Sequence, residues 1–385
     1  MTYAQTIEWT RKQVPAFREK AAQFEELRQL PTDTATGMAE AGLFRLLTPE
    51  YLGGLEATPA QFSEALQLVS MGDASAGWCT MIADTAALVA AYLPKVTARE
   101  VFSDPNVILA GIFAPMGKAV REGDTYRVSG RWQWASGSAN CAWLSGGSLI
   151  VENAKPKMLP NGLPESRMMI FPREDIELVD TWHVTGLKGT GSGDMVASDA
   201  VVPVERSVSL LTDQPVVESP LYVFPVFGLL ALGIASVALG NARASLDAII
   251  TLANGKKTPG GRKSMAERPV VQTEIAKAEA SWRSAQAYLS GSIEEAWQAA
   301  QKAPVLTASL RADLRLASTH ATRVCADICR TAYDLGGGSS VFLDNELQRR
   351  FRDAHTMTQH IMVGPAMYEQ TGRVKLGLET DLSML

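Results

Sequence analysis

Histidine and cysteine are scarce in this chain of 385 residues, four of each, and their spacing excludes several chemistries. Cys79, Cys141, Cys325 and Cys329 form no C-x-x-C pair and lack the spacing of a zinc site. Cys325 and Cys329 fall on one helix face as two free thiols, and the set reads as that of a reducing, cytoplasmic protein. No H-E-x-x-H, carboxylate-rich metal box or G-x-S-x-G elbow occurs, so neither a metal site nor an esterase-type nucleophile is expected. Runs of one charge are missing too. The 36 basic and 41 acidic residues leave a net charge of −5 without a basic block or acidic tail, which argues against nucleic acid as a partner. The opening "MTYAQTIEWTRKQ" lacks the basic-then-apolar order of an export signal.

One long uncharged run is present. Residues 221–240, "LYVFPVFGLLALGIASVALG", approach the length of a bilayer span. Pro225, Gly228 and Gly233 interrupt the run, no second span or lysine cluster accompanies it, and it leads into the amphipathic "NARASLDAIITLA". A helix buried on all sides in a bundle has the same composition, and no membrane segment is expected. Hydrophobic content of 46% and charged content of 20% suit a globular chain of two or three domains.

The texture changes twice along the chain. Residues 1–105 carry helical periodicity in "AQTIEWTRKQVPAFREKAAQFEEL" and "TATGMAEAGLFRLL", then in two helices split near Gly72 and Asp73. Residues 106–215 show short alternating runs with turn signals: "VILAGIF", "YRVSGRWQWAS", "AWLSGGSLIV", "RMMIFP", "IELVDTWHV" and "DMVASDAVVP". These predict a small antiparallel β-barrel or sandwich, with "ENAKPKMLPNGLPES" as an exposed loop. Residues 216–385 return to long alanine-rich helices, about 221–255, 268–301, 304–335 and 344–376, which predict an antiparallel four-helix bundle. The fold class is α+β. Strand and helix do not alternate, which excludes a doubly wound dinucleotide domain.

Few motifs carry chemistry by themselves. "GLKGTGSGD" (186–194) lacks phosphate-loop spacing and no helix follows it, so it reads as a glycine-rich turn between strands. Trp78 and Asp84 share one apolar helical run. Trp78 there is either core or the wall of a cavity, and Asp84 either caps locally or faces a polar cavity. His355 and His360 are five apart, about 140° around a helix, so they neither share a metal nor point into the same pocket.

Several stretches taken together are more specific. "AEAGLFRLLTPEYLGG" (39–54), "GRWQWASGSANCAWL" (130–144), "DTWHVTGLKGTGSGDMVASDAVVP" (180–203), "DLGGGSSVF" (334–342) and "RDAHTMTQH" (352–360) resemble, in order and spacing, the acyl-CoA dehydrogenase fold family over nearly the whole chain. The resemblance implies an N-terminal helical domain, a central β-domain and a C-terminal four-helix bundle. Dehydrogenases of this fold typically carry their catalytic glutamate in "R-D-A-x-x-x-x-I-Y-E-G"; the matching position here is Ile361, which cannot take a proton. Arg352, Asp353, Thr356 and His360 instead fit the "R-[DN]-x-x-T-x-x-x-H" of two-component flavin-dependent monooxygenases, and "WQWASG" is similar to their "W-x-F-x-S-G". The longer match is similar to hydroxylases of indole-like and polycyclic aromatics. Other readings stay open: an amino-sugar N-oxygenase of the same branch, an acyl-CoA dehydrogenase with a displaced base, and a silent subunit that binds an acyl or aromatic ligand.

The monooxygenase resemblance implies reduced FAD or FMN, with FAD favoured, supplied by a separate NAD(P)H-dependent flavin reductase. It implies O₂ as co-substrate, a C4a-hydroperoxyflavin as oxidant, a small aromatic or heteroaromatic substrate and a homotetramer. Such an oxidant needs a dry pocket and hydrogen-bond donors near the peroxide and near flavin N5. The resemblance gives the first role to His360 and the second to the Ser136 hydroxyl, with Trp134 on the ring edge and Trp78 and Asp84 beside the substrate. A satisfied bundle histidine is the alternative for His360. Phe113, Ala114 and Met116 open "FAPMGKAVREGD" (113–124), where dehydrogenases have the phosphate loop "T-E-P-G-A-G-S-D". Its absence suits a flavin that enters and leaves, with Lys118 as a phosphate contact. Arg262 and Gln272 would meet the phosphate and adenine side across a subunit boundary, or else form a solvated basic turn. Gly337 and Gly338 would admit a close backbone approach to the ADP half.

Overall fold

Side-chain caps set the first helices. The computed structural model describes residues 1–256 and 264–385. Helices α1 (Tyr3–Leu27), α2 (Thr32–Glu40), α3 (Pro59–Gly72), α4 (Ala74–Ala87) and α5 (Lys95–Val101) form the N-terminal part. Thr2 and Thr58 start α1 and α3 through capping boxes with Gln5 and Gln61. Asp73 ends α3 and caps α4, its carboxylate accepting from Ala76 N–H at 2.9 Å. One side chain therefore makes the split expected near Gly72.

Eight strands follow: β1 (Leu109–Glu122), β2 (Thr125–Trp132), β3 (Trp143–Glu152), β4 (Lys155–Pro156), β5 (Ser166–Pro172), β6 (Glu177–Val179), β7 (Asp194–Pro203) and β8 (Ser207–Val208). They join in the order β6-β7-β2-β1-β3-β5-β8, with β4 on β3. The expected all-antiparallel pairing fails at one place, because β1 and β3 are parallel. β2 turns back along one side of β1. Residues 133–142 then cross over, and β3 runs along the other side in the direction of β1. The expected strand "IELVDTWHV" shortens to β6, because beyond it Asp180 and the Trp182 carbonyl accept from Arg28 at the end of α1.

β1 also carries a large bulge. Ile112 lies opposite Gly146 and pairing resumes with Gly117 opposite Ser148, so residues 113–116 stand against Gly147 alone. A Cβ on Gly147 would lie 2.3 Å from the Phe113 carbonyl oxygen, so only glycine lets the bulge fold over β3.

The C-terminal part holds α6 (Pro220–Val223), α7 (Val226–Gly255), α8 (Pro269–Ala300), α9 (Ala308–Gly336), α10 (Glu346–Met357) and α11 (Ala366–Lys375). Gly228 and Gly233 do not interrupt α7; only Pro225 does, by standing just before it. Gly233 and Gly240 let neighbours approach: added Cβ atoms would lie 2.6 Å from Met81 Cγ and 2.2 Å from the Gln67 carbonyl oxygen. Among the described residues two helical stretches, Ala74–Ala91 and Val226–Gly255, are long and apolar enough to cross a membrane, and 94% and 83% of their most apolar windows are buried inside the protein. The expected fourth helix, 344–376, is two helices. Pro365 lacks an N–H and drives Gly364 to an extended backbone, and His360 caps a separate 3₁₀ turn, Ile361–Val363. Buried Arg350 fixes α10, donating to the Met71 carbonyl, to Asn241 Oδ1 and to Glu346.

Candidate active site

The crossover between β2 and β3 carries a strained residue. Trp134 has a φ of 68°, in the left-handed region that disfavours a bulky side chain, and its indole is 58% exposed. Flanking backbone bonds hold it there: Ala135 N–H to Gly193 O and Gly137 N–H to Thr190 O, both 2.8 Å. The crossover is thereby stitched to the glycine-rich loop before β7.

Between those bonds lies a line of polar side chains. Trp78 Nε1–H, from α4, donates to Ser136 Oγ at 3.1 Å. Ser136 Oγ lies 2.6 Å from Ser192 Oγ, which lies 2.6 Å from Thr190 Oγ1. Thr190 Oγ1–H donates to the Leu187 carbonyl at 2.8 Å. All three hydroxyl residues are buried, Ser136 with 4% exposure.

The Arg352–Asp353 pair holds the far end of this line. Asp353 Oδ1 accepts from Leu187 N–H at 2.6 Å. Arg352 donates to the Thr185 carbonyl and grips Glu25 of α1 through both guanidinium arms at 2.8 and 3.0 Å. Gly186 packs so closely that a Cβ would lie 2.3 Å from the Arg352 carbonyl oxygen. Burial, with help from Asp73, pushes the Asp353 carboxyl up to about 7. The pair clamps a loop.

His360 also stands against Trp78, edge-on, with ring centroids 5.7 Å apart. The helix ends at Met357, so the angular separation from His355 around a continuous helix does not apply. His360 is set instead by its own cap: Nδ1 accepts from Met362 N–H at 3.2 Å, and buried Arg315 donates to the Met362 carbonyl at 3.0 Å. Desolvation, then the Arg315 charge, pull the imidazole down to about 4. It is neutral near pH 7, and with Nδ1 accepting, the proton is on Nε2. His355 lies elsewhere, edge-on to Phe351 at 4.5 Å, which stacks on Tyr333 of α9. Ile361, at the position of the dehydrogenase glutamate, is 74% exposed.

The structure thus brings Trp78, Ser136 and His360 together. Asp84 does not join them: its carboxylate is fully buried and accepts at 2.7 Å from the N–H of Leu46, 38 residues away in the sequence, so the expected local cap is not what holds it. Phe113 and Ala114 are partly buried and Met116 is exposed, all on the β1 bulge. Gly337 and Gly338 are exposed at the end of α9, and among the described residues added Cβ atoms would meet nothing within 4 Å. Among the described residues, none makes the expected close approach to that turn. Lys256 pins the turn through the Gly336 carbonyl and Ser339 Oγ. Gln272 is exposed in the first turn of α8, donating to the Ala266 carbonyl at 3.0 Å, and Arg262 lies outside the described residues.

These features fit a flavin. The strained exposed indole and the bulge offer a ring surface, Ser136 Oγ and His360 Nε2–H offer two polar contacts, and the open glycine turn offers bare backbone. Cavity size alone points elsewhere: a cavity of about 270 Å³ lies between α3, α7 and α8, beside Glu64, Arg243 and Trp282, and shares no residue with this cluster. Ser192 and Thr190 were not picked out from the sequence. Their only signal was two hydroxyls, two apart, inside a glycine-rich turn.

Residues 232–365 match the family model described as acyl-CoA dehydrogenase, C-terminal domain. The chain is 34% identical over 365 residues to an indole-3-acetate monooxygenase of Pseudomonas putida, covering 94% of this chain and 90% of that protein. It is 28% identical over 384 residues to the flavin-dependent monooxygenase oxygenase subunit HsaA of Rhodococcus jostii, covering 97% and 98%. Among solved structures, XiaF from Streptomyces sp. in complex with FADH2 and glycerol superposes with a TM-score of 0.88 at 25% identity, covering 98% of this chain and 96% of that one.

Proposed function

The chain belongs to the flavin-dependent monooxygenases of the acyl-CoA dehydrogenase fold, as an oxygenase component served by a separate reductase, and from that premise we propose that it hydroxylates a small aromatic compound, indole-like or polycyclic. The observation that carries the proposal is the neutral His360, its Nε2–H without a partner among the described residues, standing edge-on to Trp78, whose indole N–H bonds Ser136. Reduced flavin, when bound, supplies the two electrons that activate O₂ at its C4a position. One oxygen atom enters the substrate, the other leaves as water, and an NAD(P)H-dependent reductase restores the flavin. FAD is the favoured form, as in the FADH2 complex of the similar structure.

In this reading Trp134 would pack on the ring edge, Ser136 would meet N5 and His360 would hold a hydrogen bond at the oxygen locus. Trp78 would give the substrate an apolar wall. Residues 113–116 would border the ring, while Gly337, Gly338, Gln272 and Arg262 would serve the ADP half in a homotetramer. A dehydrogenase reading draws no support from Ile361, which faces outward.

Turnover with reduced FAD, an NAD(P)H-dependent reductase, isotope-labelled O₂ and indole-3-acetate as probe tests the proposal. One labelled oxygen per hydroxylated product is expected. Oxidation of an acyl-CoA without incorporation of oxygen, and no hydroxylation of indole-type or polycyclic probes, would overturn it.

A further inference from the structure

The line from Trp78 to Leu187 contains four hydrogen bonds and four hydrogens to fill them. The indole N–H can only donate, so it fills the bond to Ser136. The Leu187 carbonyl can only accept, so the Thr190 hydroxyl proton fills the last bond. Ser192 must then donate to Thr190, and Ser136 to Ser192. This polarity leaves Ser136 no proton for a ligand. Its Oγ keeps one lone pair.

We propose that Thr190 and Ser192 are positioning residues that make Ser136 a hydrogen-bond acceptor, so that the site selects a flavin carrying a proton on N5, the reduced form, over the oxidised form. The inference rests on the reading above, in which Ser136 meets flavin N5, and it reverses the donor role that the sequence resemblance gave to Ser136. Reduced flavin has N5–H, which donates to the free lone pair. Oxidised flavin has a bare N5, whose lone pair would face that of Ser136 at a buried position with no proton between them. The anchor of the line is rigid: the Leu187 carbonyl also accepts from Trp182 Nε1–H at 3.0 Å, and Leu187 N–H is held by Asp353. No protein group needs to move for the preference to operate.

Equilibrium dialysis of oxidised FAD in air and of reduced FAD under anaerobic conditions gives the ratio of affinities, a readout independent of turnover. The wild-type protein is expected to favour reduced FAD. Ser192→Ala removes the acceptor of the Ser136 proton, and Thr190→Val leaves Ser192 free to donate back toward Ser136. Both release a proton toward N5, so oxidised FAD should bind tighter, and the ratio should move toward it by roughly ten-fold, the worth of one such bond. Thr190→Ser keeps the hydroxyl and should keep the ratio. A structural defect would weaken both forms together and could not tighten oxidised FAD. If Ser136→Ala shifts the ratio but Ser192→Ala and Thr190→Val do not, or if those two weaken both forms in parallel, the inference is overturned while Ser136 stays at N5. If Ser136→Ala leaves the wild-type ratio unchanged, the placement of Ser136 at N5 fails, and the inference with it.

Discussion

At the scale of single residues, one hydrogen bond separates stabilising the flavin from wasting it. Ser136→Ala removes the partner of N5 and leaves the Trp78 indole N–H unpaired as well. A bond of this kind is worth about 1.5 kcal/mol or more, so the flavin–oxygen adduct should decay roughly ten-fold faster in the variant, read by rapid-mixing absorbance. An unchanged decay with flavin bound would refute the role. His355 supplies the contrast. Its Nε2 is buried without a partner and its ring packs on Phe351, away from Trp78. His355→Asn should lower the melting temperature by the few degrees that about 1 kcal/mol of lost packing gives, and leave the fraction of O₂ coupled to product unchanged.

At the scale of elements, the loop from β6 to β7 depends on α10. Asp353 is raised to about 7 by burial, whereas its unfolded value is an ordinary one, about 3.9. The folded state therefore holds a proton that the unfolded state has lost. Its contribution to stability is complete below about pH 4, falls by up to about 1.4 kcal/mol per pH unit between there and pH 7, and levels off above. Asp353→Asn keeps an oxygen for Leu187 N–H and cannot ionise. Melting curves at pH 5, 6, 7 and 8 should show the variant gaining on the wild type up to about pH 7 and no further. A constant difference across the series would contradict the buried-proton account. Gly186→Ala tests the same contact sterically. A Cβ 2.3 Å from the Arg352 carbonyl oxygen must push the loop off α10, at a cost of about 1–3 kcal/mol, and should weaken reduced-flavin binding in parallel with stability. Full retention of flavin affinity would show that Thr190 and Ser192 do not depend on the clamp.

Over the whole molecule, local signals were legible and long-range ones were not. Asp73 caps α4 through a neighbour three residues away, so the split between α3 and α4 could be read directly, whereas the start of α3 at Thr58 was not read. Trp134, Ser136 and His360 stood in motifs, and the fold brings both Ser136 and His360 against Trp78. The parallel pairing of β1 with β3 was hidden, because alternation reveals strands and not their partners. Asp84 misled because its partner, Leu46, lies 38 residues away. The break after α10 was partly legible in Gly364–Pro365, yet the cap by His360 is a contact between a side chain and the backbone of a turn that periodicity does not see. Thr190 and Ser192 had the texture of a turn, and only their burial between Ser136 and Leu187 gives them meaning.

The central claim is that this chain activates O₂ on reduced flavin with His360 as the neutral donor, and His360→Asn isolates that donor. An asparagine Oδ1 can still accept from Met362 N–H, so the turn is retained while the Nε2–H is lost. His360 is held near 4, so it is neutral from about pH 5 upward and the comparison is made at pH 7. The measurement is stopped-flow absorbance after mixing the protein with reduced FAD and then with O₂. The account predicts a transient oxygen-adduct spectrum in the wild type and in His355→Asn, and direct formation of oxidised flavin and H₂O₂ in His360→Asn. An adduct of undiminished yield and lifetime in His360→Asn, or none in the wild type, would contradict it.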